Sequence, residues 1–179
     1  IRLFVGFRVS LLVAAAVTAL SLLVGVILGM VGGYLGGSTD RVIRSSTDFI
    51  WGFPLILVAV LLVGGLGEGL FPVILAVGIV NVAAITRVVR GEVVGLKEKE
   101  FVEAARAAGV SSYRIMWRHL SPNVLAPALI MASYLIAVAV IAEAALSFIG
   151  LGAQPPLPSL GKMIADGRGF LRINHWEAT

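Results

Sequence analysis

The stretch Glu103-Ala104-Ala105-Arg106-Ala107-Ala108-Gly109, followed ten residues later by His119-Leu120-Ser121-Pro122-Asn123, decides how this chain is read. It belongs to a polar, basic island, Thr86 to Asn123, set in a strongly apolar sequence. The island carries Arg87, Arg90, Lys97, Lys99, Arg106, Arg114 and Arg118 against Glu92, Glu98, Glu100 and Glu103, which is seven of the 14 basic and four of the 10 acidic residues. Charge gathered in this way marks an interaction surface. Around the island, 59% of residues are hydrophobic, 13% are charged and the mean hydropathy is +1.00, whereas about a quarter of a soluble domain is charged. The composition is that of an integral membrane protein. A net charge of +4 then belongs to loops and lipid headgroups, not to nucleic acid. The chain has no cysteine, which excludes disulfides and thiolate chemistry, and two isolated histidines, His119 and His175, do not make a metal site.

Working outward, four apolar runs are each close to the roughly 20 residues that cross a bilayer about 30 Å thick: Val9 to Val31, Phe49 to Leu66, Leu70 to Val88, and Val124 to Leu146. Runs this long satisfy their backbone in hydrocarbon only as helices, and the absence of period-two alternation argues against a barrel. The expected fold is an all-α, polytopic bundle with four spans. Gly32 to Arg41 reads as a turn-rich connection and Gly64 to Gly69 as a glycine hairpin. The loops after spans one and three hold nine Lys and Arg, the termini and the hairpin five. The positive-inside rule therefore puts Arg41 and the island in the cytoplasm and both termini outside, with Trp51 at an aromatic belt position.

Span one has small residues at Ser21, Gly25, Gly29 and Gly33, one helix face that admits close packing, within this chain or against a homologous subunit. Ser121 and Pro122 suit the N-cap and first position of span four. Three prolines, Pro155, Pro156 and Pro158, make Phe148 to Gly161 an outer loop, with Lys162 to Leu171 an interfacial helix. Glu143, the one acid of span four, is expected near the outer interface in a solvated or packing role, with a gate or pathway role as the alternative. Asn81 is the other polar pathway residue, expected to make a helix-helix hydrogen bond.

Within the island, Phe101, Ala104, Ala105 and Ala108 share one helical face, with Lys99, Glu103 and Arg106 as its polar flank; Tyr113, Met116, Trp117 and Leu120 repeat the spacing. Two short amphipathic helices are expected, the first closed by Gly109 in the left-handed conformation and the second capped by Ser111 or Ser112. Periodicity alone fits helices lying on the inner leaflet, basic edges toward lipid phosphates.

The motif adds what periodicity does not. Glu-Ala-Ala, three residues, glycine, then a proline thirteen residues later resembles the signature loop of permease subunits of ATP-binding-cassette importers. The wording Phe101 to Gly109 and Arg118 to Asn123 is similar to the oligopeptide/dipeptide/nickel class. Arg8 to Leu11, Gly33 to Gly37, and Ala142 to Gly152 with Gln154-Pro155-Pro156 agree with it. The resemblance implies the type I importer permease fold over residues 1–179, with a coupling loop at 89–122 and an outer loop at 148–179. It implies that Glu103, Ala104, Ala105, Gly109, Tyr113, Met116, Trp117 and Pro122 dock a separate ATPase. The implied partners are two cytoplasmic ATPase subunits, which would bind ATP and Mg while this chain binds no cofactor, a homologous second permease, an extracytoplasmic substrate-binding protein and membrane lipid. The implied location is a bacterial or archaeal cytoplasmic membrane, and the implied cargo peptides, nickel chelates or related solutes. Ser121 departs from the family's usual leucine before the proline, a change expected to loosen the loop's exit. The class usually has a further span at each end, so the resemblance implies a piece of a longer permease.

Gly161-Lys162 lacks the context of a phosphate-binding loop, so energy must be borrowed. An intramembrane enzyme is disfavoured because Ser21 and Ser133 have no histidine or acid at matching depth. An ion-coupled carrier without an ATPase is the remaining alternative; it calls for intramembrane charges that these spans nearly lack.

Overall fold

Apolar runs with no polar partner for their backbone dictate helix, and every regular element described is helical. The structure, a computed structural model, describes residues 2–154 and 157–167. In order these are α1 (Arg2–Leu35), α2 (Gly37–Trp51), α3 (Leu55–Leu66), α4 (Leu70–Leu96), α5 (Glu100–Ala107), α6 (Ser112–Arg114), a π-helical turn (Ile115–Leu120), α7 (Ser121–Phe148) and α8 (Leu160–Gly167). By length and composition, α1, α4 and the continuous helix Ser112–Phe148 can each cross a membrane; α2 with α3 makes a fourth crossing only as a broken pair.

The chain forms two compact units, between which the long helices divide their length. One unit takes 19–52 and 79–135. Its core joins Val26, Met30 and Tyr34 of α1 to Ile85, Val89 and Val93 of α4, to Val102 and Ala105 of α5, and to Ile115, Leu120, Val124 and Ala128. The small-residue face of α1 is used here. A methyl group added at Gly25, Gly29 or Gly33 would lie 2.8, 2.7 and 2.8 Å from the Cβ atoms of Ile85, Val89 and Val93, closer than carbon atoms approach without strain. The β-branched ridge of α4 thus sits against bare α1 backbone, and the small face packs inside the chain.

The other unit takes, among the described residues, 2–18, 53–78, 136–154 and 157–167. Its core is Val13, Ala14 and Val17 of α1, Ala59 of α3, Val73, Ala76 and Val77 of α4, and Ala139, Ala142 and Leu146 of α7. Helix α8 docks on α7 at Gly161, where a Cβ would fall 1.9 Å from the Ala144 carbonyl oxygen.

Several boundaries differ from those expected. The connection after span one is a single residue, Gly36 at φ +65, because α1 runs on to Leu35 and α2 starts at Gly37. Span two is not continuous: Gly52, Phe53 and Pro54 separate α2 from α3, since proline bars its predecessor from the helical region. At 12 residues, α3 is only about 18 Å long. Helix α4 extends to Leu96, eight residues past the expected end of span three. Ser121 and Pro122 do not start a helix, since they lie within the unbroken Ser112–Phe148. The helix expected at Lys162 to Leu171 begins at Leu160, with Gly161 buried; residues 168–171 lie outside the described residues, as do Pro155 and Pro156.

Candidate functional site

The island is built in layers. Helix α5 opens with Glu100 and Glu103 in its first turn and has Arg106 in its last, the charge order that suits a helix dipole. It closes on Gly109, at φ +76, where the Gly109 N–H donates to the Arg106 carbonyl at 2.9 Å and the Val110 N–H to the Ala105 carbonyl at 3.0 Å. This pair of bonds is the Schellman closure. A side chain at Gly109 would meet nothing within 4 Å, so the glycine is required by its backbone conformation, not by space. Val110 then packs against the cluster that contains Ala105, the apolar contact that accompanies such a closure.

Burial sorts the two expected faces. Val102, Ala105, Ile115 and Leu120 are the buried anchors, whereas Ala104, Ala108 and Glu103 are exposed. Of the expected apolar face of α5, only Ala105 is buried, because Val102, one residue off that stripe, takes the core position. Phe101 and Trp117 are each 43% exposed and Tyr113 70%, with the Tyr113 and Trp117 rings 6.2 Å apart and tilted by 52°. Met116 is half-buried against the core. The segment presents aromatic groups outward on a rigidly seated base.

The second helix of the island does not end. The Ser121 N–H donates to the Met116 carbonyl, the five-residue step of a π-turn, just ahead of Pro122, which has no N–H to give. Side chains satisfy the carbonyls nearby: Ser121 Oγ donates to Trp117 O and Asn123 Nδ2 to His119 O, both at 2.7 Å. The serine expected to loosen this exit instead stitches it. Ser111 stands at the N-cap of α6 but makes no side-chain capping bond.

Ionic contacts that sequence reading missed fasten the root of the segment. Arg90 on α4 donates through Nε and Nη2 to the two carboxylate oxygens of Asp40 on α2, the second at 2.7 Å, and Arg44 lies 3.3 Å from the same carboxylate. Lys97 Nζ donates to the Gly33 carbonyl at 3.1 Å, and the Arg106 guanidinium lies 5.2 Å from the Tyr34 ring centre. Arg87 bonds Asp48 at 2.9 Å and covers the Trp51 ring at 4.2 Å. Asp40 and Arg90 stand 50 positions apart, and nothing local in the sequence announced the pair.

The two polar residues named for a pathway are both buried. Glu143, fully buried, is not solvated: its carboxylate accepts from Ser10 Oγ at 2.6 Å and Ser147 Oγ at 2.7 Å, and Ser147 Oγ accepts from the Ala153 N–H at 3.3 Å. In the other unit Asn81 is 5% exposed and its Nδ2 has no hydrogen-bond partner, so the expected helix-helix bond is not made through that atom. No cluster of three or more His, Cys, Asp or Glu that could hold a metal occurs among the described residues.

Long apolar helices carrying one anchored, aromatic-tipped polar segment define a polytopic membrane component. The chain belongs to the family of binding-protein-dependent transport system inner membrane components, whose pattern matches residues 9–171. Among curated relatives it is 36% identical over 177 residues to the oligopeptide transport system permease protein OppC of Bacillus subtilis, covering 99% of this chain and 58% of that protein. It is 40% identical over 175 residues to the dipeptide transport system permease protein DppC of Alkalihalophilus pseudofirmus, covering 98% and 58%. The glutathione transport system permease protein GsiD of Pectobacterium atrosepticum is 36% identical over 172 residues, covering 96% and 57%. The chain therefore spans somewhat over half the length of these relatives. In fold it is similar to a chain in a structure of inward-facing conformations of the MetNI methionine ABC transporter, with a TM-score of 0.66 and 21% identity over 91% of this chain and 79% of that one. The architecture is that of the type I importer permease.

Proposed function

We propose that this chain belongs to a permease subunit of an ATP-driven importer, forming half of the translocation pathway for peptides or related small solutes, nickel chelates among them. Segment 99–122 is the coupling element, received by one of two cytoplasmic ATPase subunits that bind ATP and Mg. A homologous permease completes the pathway, and an extracytoplasmic substrate-binding protein delivers cargo at the other side of a bacterial or archaeal cytoplasmic membrane. The observation that carries this reading is the seating of the segment. Val102, Ala105, Ile115 and Leu120 root it in the core while Phe101, Tyr113 and Trp117 stand exposed. Solvent gives no reason to expose three aromatic rings on a polar loop, whereas a groove on a partner does.

Movement at those rings passes into the protein because packed elements shift as units. An ion-coupled carrier would need a titratable intramembrane group open to the pathway, and Glu143 is instead fully buried against two serines. The test is co-purification of the full-length permease with its ATPases, wild type against Gly109→Asp and Glu103→Lys, with solute uptake recorded in parallel. The expected result is normal membrane insertion with loss of both ATPase binding and uptake. Retention of both would reduce the segment to a helix pair on the membrane surface.

A further inference from the structure

Tyr134 stands where a tyrosine is least expected. It lies ten residues after Val124 and twelve before Leu146, so at about 1.5 Å per residue its place on α7 is near the middle of a hydrocarbon layer about 30 Å thick. Tyrosines of membrane proteins gather at the interfaces, where the hydroxyl stays wet. Tyr134 is 62% exposed, and its hydroxyl makes no hydrogen bond among the described residues. A side chain at this depth cannot reach either interface, and in lipid its hydroxyl would be left without a partner, a costly state. The neighbouring hydroxyl shows the other solution: Ser133 Oγ donates to the Leu129 carbonyl at 3.0 Å within its own helix. Tyrosine cannot fold back in that way.

Two further observations bear on what Tyr134 faces. The apolar window of Ser112–Phe148 is 28% buried, against 39% for α1 and 61% for α4, so this helix is the long one with most of its surface left over. Tyr134 also stands on the same unbroken helix as Trp117, so displacement of the coupling segment carries it along.

We propose that Tyr134 lines the water-filled solute pathway, offering its hydroxyl at the bilayer midplane to water and to polar, amide-bearing solutes. This rests on the permease reading above. The test uses cysteine accessibility, for which this chain is suited because it contains no cysteine. Full-length permease, freed of any other cysteine and assembled with its partner subunits in nanodiscs, carries Tyr134→Cys, Ala132→Cys on the buried face, or Glu68→Cys on the exposed glycine hairpin. Each is treated with a charged methanethiosulfonate. The thiolate is the reacting species and forms only where water reaches it, so Tyr134→Cys is expected to react about tenfold or more faster than Ala132→Cys and near the rate of Glu68→Cys. Labelling of Tyr134→Cys no faster than Ala132→Cys means lipid or a dry helix contact and overturns the proposal. ATPase binding measured in the same nanodiscs keeps the two readings apart. Binding without labelling refutes the pathway role alone; failure of the wild type to bind ATPase refutes the importer reading on which it rests.

Discussion

At Gly109 the backbone sits at φ +76 with open space around the missing side chain. Gly109→Ala therefore loses only the conformational preference, about 1–2 kcal/mol, with no clash. The expected result is a permease that inserts and still binds ATPase, more weakly, with a lowered midpoint in thermal unfolding. Glu143 is the opposite case, a group whose value lies in its partners. Glu143→Gln keeps the volume and an acceptor oxygen, whereas Glu143→Ala leaves a cavity and strands Ser10 and Ser147, a loss of about 3 kcal/mol. Unfolding midpoints should fall in the order wild type, Gln, Ala; equal midpoints for Gln and Ala would show that the hydroxyl bonds contribute nothing. Of these two residues, Gly109 was legible in the sequence, because a glycine ending an alanine-rich helical stripe names its own conformation. The partners of Glu143 were not, since Ser10 lies 133 residues away and nothing local announces a contact at that range.

Between elements, the stability of the root of segment 99–122 comes from two interfaces of different kinds. The first is steric. Gly29 faces Val89, and Gly29→Val would force branched side chains into one place at a cost of about 1–3 kcal/mol, so the variant should accumulate poorly in membranes while Gly64→Ala, a change that meets nothing within 4 Å, accumulates normally. The second is ionic. The side chains of Arg90 and Asp40 are 23% and 11% exposed, so Asp40→Ala alone leaves the Arg90 guanidinium without its carboxylate partner, a loss of about 1–3 kcal/mol. The double variant Asp40→Ala/Arg90→Met should recover part of that loss, and a double-mutant cycle on thermal midpoints reads the coupling directly. Element boundaries were the least legible scale. The break at Gly52 to Pro54 had a local signal, a proline within an apolar run, that hydropathy averaged away. The continuation of the second island helix into α7 ran against the local signal of Ser121-Pro122, because the π-turn and the Ser121 bond to Trp117 supply what the proline withholds.

Across the whole molecule, protection should follow burial. Helix α4 has 61% of its apolar window buried and contributes to both cores, so its amides from Val73 to Val89 should exchange most slowly. Those of α2 and α5, short and exposed on much of their surface, should exchange early; slower exchange in α5 than in α4 would contradict the layering described here. The class of fold was legible at this scale because hydrocarbon leaves a chain so few choices. The division into two cores was not, because each long apolar run serves both and its sequence does not change character at the crossing.

The unbroken helix from Ser112 to Phe148 has a consequence that concerns angle more than stability. Every residue inserted or removed between Trp117 and Tyr134 would turn one of them about the helix axis by about 100° relative to the other while moving it only about 1.5 Å. The spacing between these two aromatic residues therefore acts as a phase setting, as the teeth of a camshaft do. One added alanine there should leave the helix and its hydropathy intact, yet turn the face that holds Tyr134 by about 100° from its present phase with Trp117.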